Sequence, residues 1–180
     1  TFIDPPADAP ADLAISGKFT NTDRKRIDAV GTVMGASYIS APDVPRPTGV
    51  KLPFKGQPMQ GFSGLKSAGD GTFWVLQDNG FGSKVNSADA MLVLHRVKPE
   101  WASGKVEVLQ TIFLHDPDKK IPFQITLEGT AKRYLTGADL DVESFQPIGD
   151  AIWIGDEFGP YLIRVDLSGK VTALFETTVD

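Results

Sequence analysis

Apolar residues in this chain come in short runs cut by turn signals. Residues 72–77 read Thr-Phe-Trp-Val-Leu-Gln and follow a turn at Gly69-Asp70-Gly71. So short a run, rich in β-formers and bounded by glycine, predicts a strand. A segment before it (60–66) and two after it (90–98 and 106–114) predict three more. The polar stretch Asp78-Asn79-Gly80-Phe81-Gly82 is the loop inside this unit, with Asp78 starting a turn and Gly80 suited to a positive φ.

The pattern recurs downstream. Segment 139–145 leads to a turn at Gly149-Asp150, then the run Ala-Ile-Trp-Ile-Gly at 151–155. A polar loop, Asp156-Glu157-Phe158-Gly159-Pro160, is followed by strands at 161–166 and 170–175. Trp74 aligns with Trp153, and Gly80 with Gly159, both at an offset of 79 residues. Repeated four-stranded units with a tryptophan and acidic loops predict propeller blades, each about 40 to 50 residues long. The offset therefore corresponds to one blade plus an insertion, placed at 115–137, with a helical turn expected at 130–135. A β-sandwich of similar strand–turn–strand units is the alternative. The expected fold is all-β and propeller-like, with four-stranded blades, in one partial domain over residues 1–180.

Upstream the signal is weaker. Residues 1–12, rich in Pro, Ala and Asp, read as an extended lead-in. Strands are expected at 14–20 and 29–40. Five prolines between 41 and 58 forbid regular helix and mark a long loop. Two recognisable units fall short of the four to eight blades of a closed propeller. The chain is therefore expected to be one piece of a longer polypeptide, cut near Asp180, with the remaining blades bound as a second chain.

Composition narrows the function. Glycine (18) and proline (13) suit tight turns, and the net charge is −5. An acidic chain without a basic stripe is a poor nucleic-acid binder and a better holder of cations. With no cysteine, disulfides and thiolate metal sites are excluded. No apolar run approaches the roughly 20 residues that span a bilayer. The chain starts at Thr1, as expected if an N-terminal segment has been removed.

Six acidic residues lie between 139 and 157, with no Lys or Arg among them: Asp139, Asp141, Glu143, Asp150, Asp156 and Glu157. Asp139, Asp141 and Glu143 alternate, so an extended strand points all three to one face. Asp156 and Glu157 sit at the exit of an apolar strand. If the two strands are neighbours, these carboxylates converge. Converging carboxylates stay ionised only with a cation or several donors beside them. Hard oxygen ligands select calcium or magnesium over transition metals, with calcium the first expectation. The metal set is Asp78, Asp141, Glu143, Asp156 and Glu157, with Glu143, Asp156 and Glu157 as catalytic candidates. The plain alternative is a solvated acidic rim. Lys132 and Arg133 are candidates to meet an anionic substrate, or are solvated loop charges. Gly61-Phe62-Ser63-Gly64 is not a nucleophile elbow. Of the two histidines, His95 lies in an apolar strand and reads as structural, and neither His95 nor His115 has triad spacing.

The runs Gly61-Phe62-Ser63-Gly64-Leu65 and Phe73-Trp74-Val75-Leu76-Gln77-Asp78-Asn79-Gly80 resemble the phytase-like family with esterase-like activity. So do Leu140-Asp141-Val142-Glu143-Ser144 and Ile152-Trp153-Ile154-Gly155-Asp156-Glu157-Phe158-Gly159-Pro160. The resemblance covers about residues 55–175. It implies a secreted or periplasmic bacterial β-propeller with acidic residues at its active end. By analogy with propeller phytases, it implies calcium and the hydrolysis of small phosphorylated or ester substrates. The expected function is an exported, calcium-dependent phosphoric ester hydrolase. The alternative is a non-catalytic calcium-binding propeller serving as an interaction module.

Overall fold

The computed structural model describes residues 1–19 and 52–177 in full, and of 20–51 only the backbone of two strands. Strands are the main regular element of the described residues, with 3-10 helix only at Ala11–Ala14 and Lys84–Asn86. Three two-stranded ladders stand at the N-terminal side. β1 (Phe2–Ile3) pairs with β6 (Gln57–Pro58), β2 (Ile15–Ser16) with β5 (Phe54–Lys55), and β3 (Thr32–Gly35) with β4 (Val44–Pro47). The expected strand at 29–40 is described only over Thr32–Gly35, its remainder lying outside the described residues. The region expected as one Pro-rich loop, 41–58, instead contributes β4, β5 and β6. Proline is tolerated there because a two-stranded ladder consists only of edges, where a missing N–H need not face a partner.

Two four-stranded antiparallel sheets carry the rest. The first comprises β7 (Phe62–Ser67), β8 (Phe73–Gln77), β9 (Val93–Glu100) and β10 (Lys105–Phe113), in order β10-β9-β8-β7. The second comprises β11 (Val142–Ile148), β12 (Ala151–Asp156), β13 (Tyr161–Asp166) and β14 (Val171–Glu176), in the order of the sequence. Each is a meander, and β8 and β12 are equivalent second strands, as the tryptophan spacing requires. The connection between the sheets contains no helix. Residues 130–135 form turns and isolated bridges, not the expected helical turn. Leu135 is tied to Leu114 and Leu92 through backbone hydrogen bonds, so the inserted segment runs back along the sheet.

The sheets pack face to face through β11 against β7 and β8. Leu76, Leu94, Phe145, Ile152, Ile154 and Ile163 fill the space between them, all buried. Each such side chain contributes about 2 kcal/mol on burial. Gly64 permits the approach, since a Cβ there would lie 2.7 Å from the Phe145 ring. Alternation decides where the tryptophans go. Both were expected to be buried, and both are half-buried. Trp74 borders the inter-sheet core beneath Arg96, whereas Trp153 stacks on Phe175 beyond it. On the first sheet, Phe62, Leu65, Val75, Val97 and Trp101 line an apolar groove of about 360 Å³.

His95 occupies the interior of β9 and is fully buried. Its Nδ1 contacts the Thr111 hydroxyl at 2.9 Å, and its Nε2 has no partner. Burial holds the imidazole neutral, lowering its pKa from 6.5 to about 4. The unfolded chain therefore binds a proton that the folded chain refuses between those values, so stability falls as pH drops through this window. The effect is on the order of 3 kcal/mol when fully developed. Urea unfolding at pH 7.5 and pH 4.5 should show it, with a smaller pH dependence in His95→Gln. An equal dependence in both proteins would assign the effect to other groups.

Candidate functional site

Three segments meet where the two sheets adjoin: the loop after β8, the stretch entering β11 and the loop after β12. The Asp78 N–H donates to the Gly61 carbonyl at 2.7 Å, and its Oδ1 accepts from Gly80 N at 2.8 Å. Gly61 lies so close beneath that carboxylate that a Cβ would fall 2.2 Å from Oδ1. Asn79 reaches across to the second sheet. Its Nδ2 donates to Asp141 Oδ2 at 2.8 Å, while its Oδ1 accepts from Gly82 N at 2.6 Å.

Asp141 is the hub. Its N–H donates to Asp156 Oδ1 at 2.7 Å, and its carbonyl accepts from Glu157 N at 2.8 Å. The residue is only 8% exposed, yet its Oδ1 is buried without a hydrogen-bond partner. Asp156 organises the loop: its Oδ2 accepts from Gly159 N at 2.7 Å, and its carboxylate also accepts from Phe158 N. Burial raises the Asp156 pKa against those donors, with Asp141 adding to the rise.

Glu143 owes its aim to a β-bulge. Val142 pairs with Asp156 and Ser144 with Gly155, leaving Glu143 as the extra residue. The first sheet has the same defect at the same rung, where Phe62 pairs with Gln77, Gly64 with Leu76, and Ser63 is extra. Bulges re-aim side chains beside functional sites. Here the two bulged residues face one another, the Ser63 hydroxyl bonding to the Glu143 carboxylate. Burial raises the Glu143 pKa, Ser63 opposes the rise, and the charges of Asp141, Asp78 and Glu157 add to it.

The structure thus brings Asp78, Asp141, Glu143, Asp156 and Glu157 into one neighbourhood. Among the described residues, no three carboxylate or imidazole side chains close into a ready-made metal cage. Asp139 does not share the face of Asp141 and Glu143 as alternation implied, because both precede or interrupt the regular ladder. Its carboxylate instead accepts from the N–H and hydroxyl of Thr126 and of Thr136, at 2.7 to 3.0 Å, and fastens the inserted segment.

The two cations expected at the substrate go elsewhere. Lys132 lines a different cavity, of about 300 Å³, with His115, Tyr134 and Ser168. Arg133 is neither solvated nor facing that cluster. It is 2% exposed, donates to the Asp116 carbonyl at 2.9 Å and carboxylate at 3.3 Å, and also binds Glu128. Fixing three oxygens in the inserted segment is what draws a guanidinium inside. Sequence reasoning passed over Lys84, whose Nζ lies 4.6 Å from the centroid of the Phe158 ring. A contact between loops of different sheets leaves no local signal.

Fold and site together define an all-β, propeller-like protein of four-stranded antiparallel blades, with acidic loops gathered at a blade junction. A family model described as "Phytase-like: Esterase-like activity of phytase" matches residues 57–180, and the chain belongs to that family. No curated protein and no solved structure matches it. Among the described residues, no helix is long and apolar enough to cross a membrane.

Proposed function

We propose that the acidic cluster holds a calcium ion, in preference to magnesium, and that the protein hydrolyses a small phosphoric ester. The observation that carries this reading is the buried, unpartnered Oδ1 of Asp141. A buried carboxylate oxygen with no donor is costly, and a hard cation answers it. The chemistry of the donors fits, since Asp141, Asp78 and Glu157 each lie within electrostatic reach of Glu143 and all offer hard oxygen ligands. Asp141, Asp78 and Glu157 would hold the ion, while Asp156 fixes the backbone of Asp141. When bound, calcium would polarise the phosphoryl oxygens. Glu143, half-buried at its bulge, accepts the proton of the attacking water as the bond from phosphorus to the leaving oxygen breaks. The leaving oxygen then takes up a proton.

Family membership supports a hydrolase of phytase or esterase type. The same reading includes export to the periplasm or exterior. It also includes further blades of the same propeller, in one polypeptide or as a second chain, covering the groove at Leu65 and Trp101. Phosphomonoester turnover with and without calcium tests the proposal. Turnover should require calcium and fall by at least about 100-fold in Glu143→Gln with the fold unchanged. Calcium binding without turnover would favour the non-catalytic calcium-binding propeller. Turnover at the wild-type rate in Glu143→Gln would remove Glu143 from the chemistry.

A further inference from the structure

We infer that Lys84 anchors the anionic group of the substrate at this site. The inference rests on the proposed hydrolase reading and adds to it the residue that selects for charge. Five carboxylates (Asp78, Asp141, Glu143, Asp156 and Glu157) repel a phosphate ester, and one divalent ion leaves a net negative charge. A phosphate-binding site of this make needs a cation at its rim.

Three arginines and one lysine near the two sheets are engaged, and Lys66, Lys98 and Lys105 stand toward the end of the first sheet away from the Asp78 loop. Arg133 is buried against Asp116 and Glu128. Arg164 donates to Thr172 and Asp150, and Arg96 to Thr72 and Asp70. Lys170 pairs with Asp118. Lys132 faces the cavity of His115 and Tyr134.

Lys84 differs. It stands on a short 3-10 turn, Lys84–Asn86, in the same inter-strand connection as Asp78 and Asn79. It is exposed, and among the described residues its ammonium makes no ion pair. Its resting place is the face of Phe158, next in sequence to Asp156 and Glu157. The Phe158 N–H itself donates to the Asp156 carboxylate, which fixes where the ring begins. A ring face holds the ammonium by cation–π attraction and leaves N–H donors unclaimed. The first sheet's connection thus delivers a positive charge to the second sheet's acidic loop, at the junction where the carboxylates gather. Lysine binds phosphate as a compact point charge and needs no planar partner. A substrate held this way carries its charge next to the bond that breaks, so anionic esters are favoured over neutral ones.

The test is calorimetric titration of inorganic phosphate into the full chain with calcium present. Lys84→Met, which keeps an apolar stem for Phe158, should weaken phosphate binding by at least about tenfold. Lys84→Arg should retain most of it. In turnover, Lys84→Met should raise KM for a phosphomonoester by at least about tenfold, and Lys84→Arg should restore most of it. Wild-type phosphate affinity in Lys84→Met, or no phosphate binding by the wild type, would overturn the inference. Lys84-dependent phosphate binding without any hydrolysis would strike the hydrolase reading and leave the anchor standing.

Discussion

Gly137→Ala should destabilise the protein by at least about 2 kcal/mol and loosen its acidic site. A Cβ on Gly137 would lie 1.8 Å from the Asn79 carbonyl oxygen, 2.6 Å from its carbon and 2.8 Å from the Asn79 Cα. These are backbone atoms, so no rotamer change relieves the clash. The loop after β8 must move, and Asn79 carries the amide that holds Asp141 Oδ2. The expected result is a lower melting temperature together with weaker calcium binding. Gly129→Ala is the control, because a Cβ there meets nothing within 4 Å. If Gly137→Ala matched Gly129→Ala in both measurements, the close approach of 137 to Asn79 would not set the site.

Arg133→Leu should cost about 3–5 kcal/mol, the usual consequence of stranding one member of a buried ion pair. Asp116 is fully buried and receives Lys120 N at 2.8 Å, Ile121 N at 2.9 Å and the Arg133 guanidinium. Removing the guanidinium leaves that carboxylate with backbone donors alone. The partner Glu128 is more exposed and adds less, since solvent screens it. Urea unfolding of the variant should show a lower midpoint with an unchanged slope. Wild-type stability with impaired phosphate binding would return Arg133 to the substrate role that its sequence context suggested.

The fold was legible where its information is local. The run around Trp74, its echo around Trp153 and the turns at Gly69-Asp70-Gly71 and Gly149-Asp150 specify two four-stranded meanders. All eight of their strands lie within three residues of the expected bounds. The N-terminal ladders were less legible because two-residue strands such as Ile15–Ser16 have no period to read. The acidic neighbourhood was legible as composition but not as geometry. A bulge shifts the parity of a strand by one residue, and that shift separates Glu143 from its expected rung and brings it to Ser63. Alternation likewise misassigned Asp139, whose partners Thr126 and Thr136 sit in the inserted segment. The burial of Arg133 and the seat of Lys84 on Phe158 depend on contacts between distant segments. A linear pattern does not contain them.

The central claim is that the orphaned oxygen of Asp141 belongs to a cation. Calorimetric titration of calcium into the wild type and Asp141→Asn tests it most directly. The account predicts saturable binding by the wild type, a melting temperature that rises with calcium because only the folded chain presents the site, and loss of both in Asp141→Asn. No heat and no shift in the wild type, or equal binding by Asp141→Asn, would contradict it and leave the cluster a solvated acidic rim.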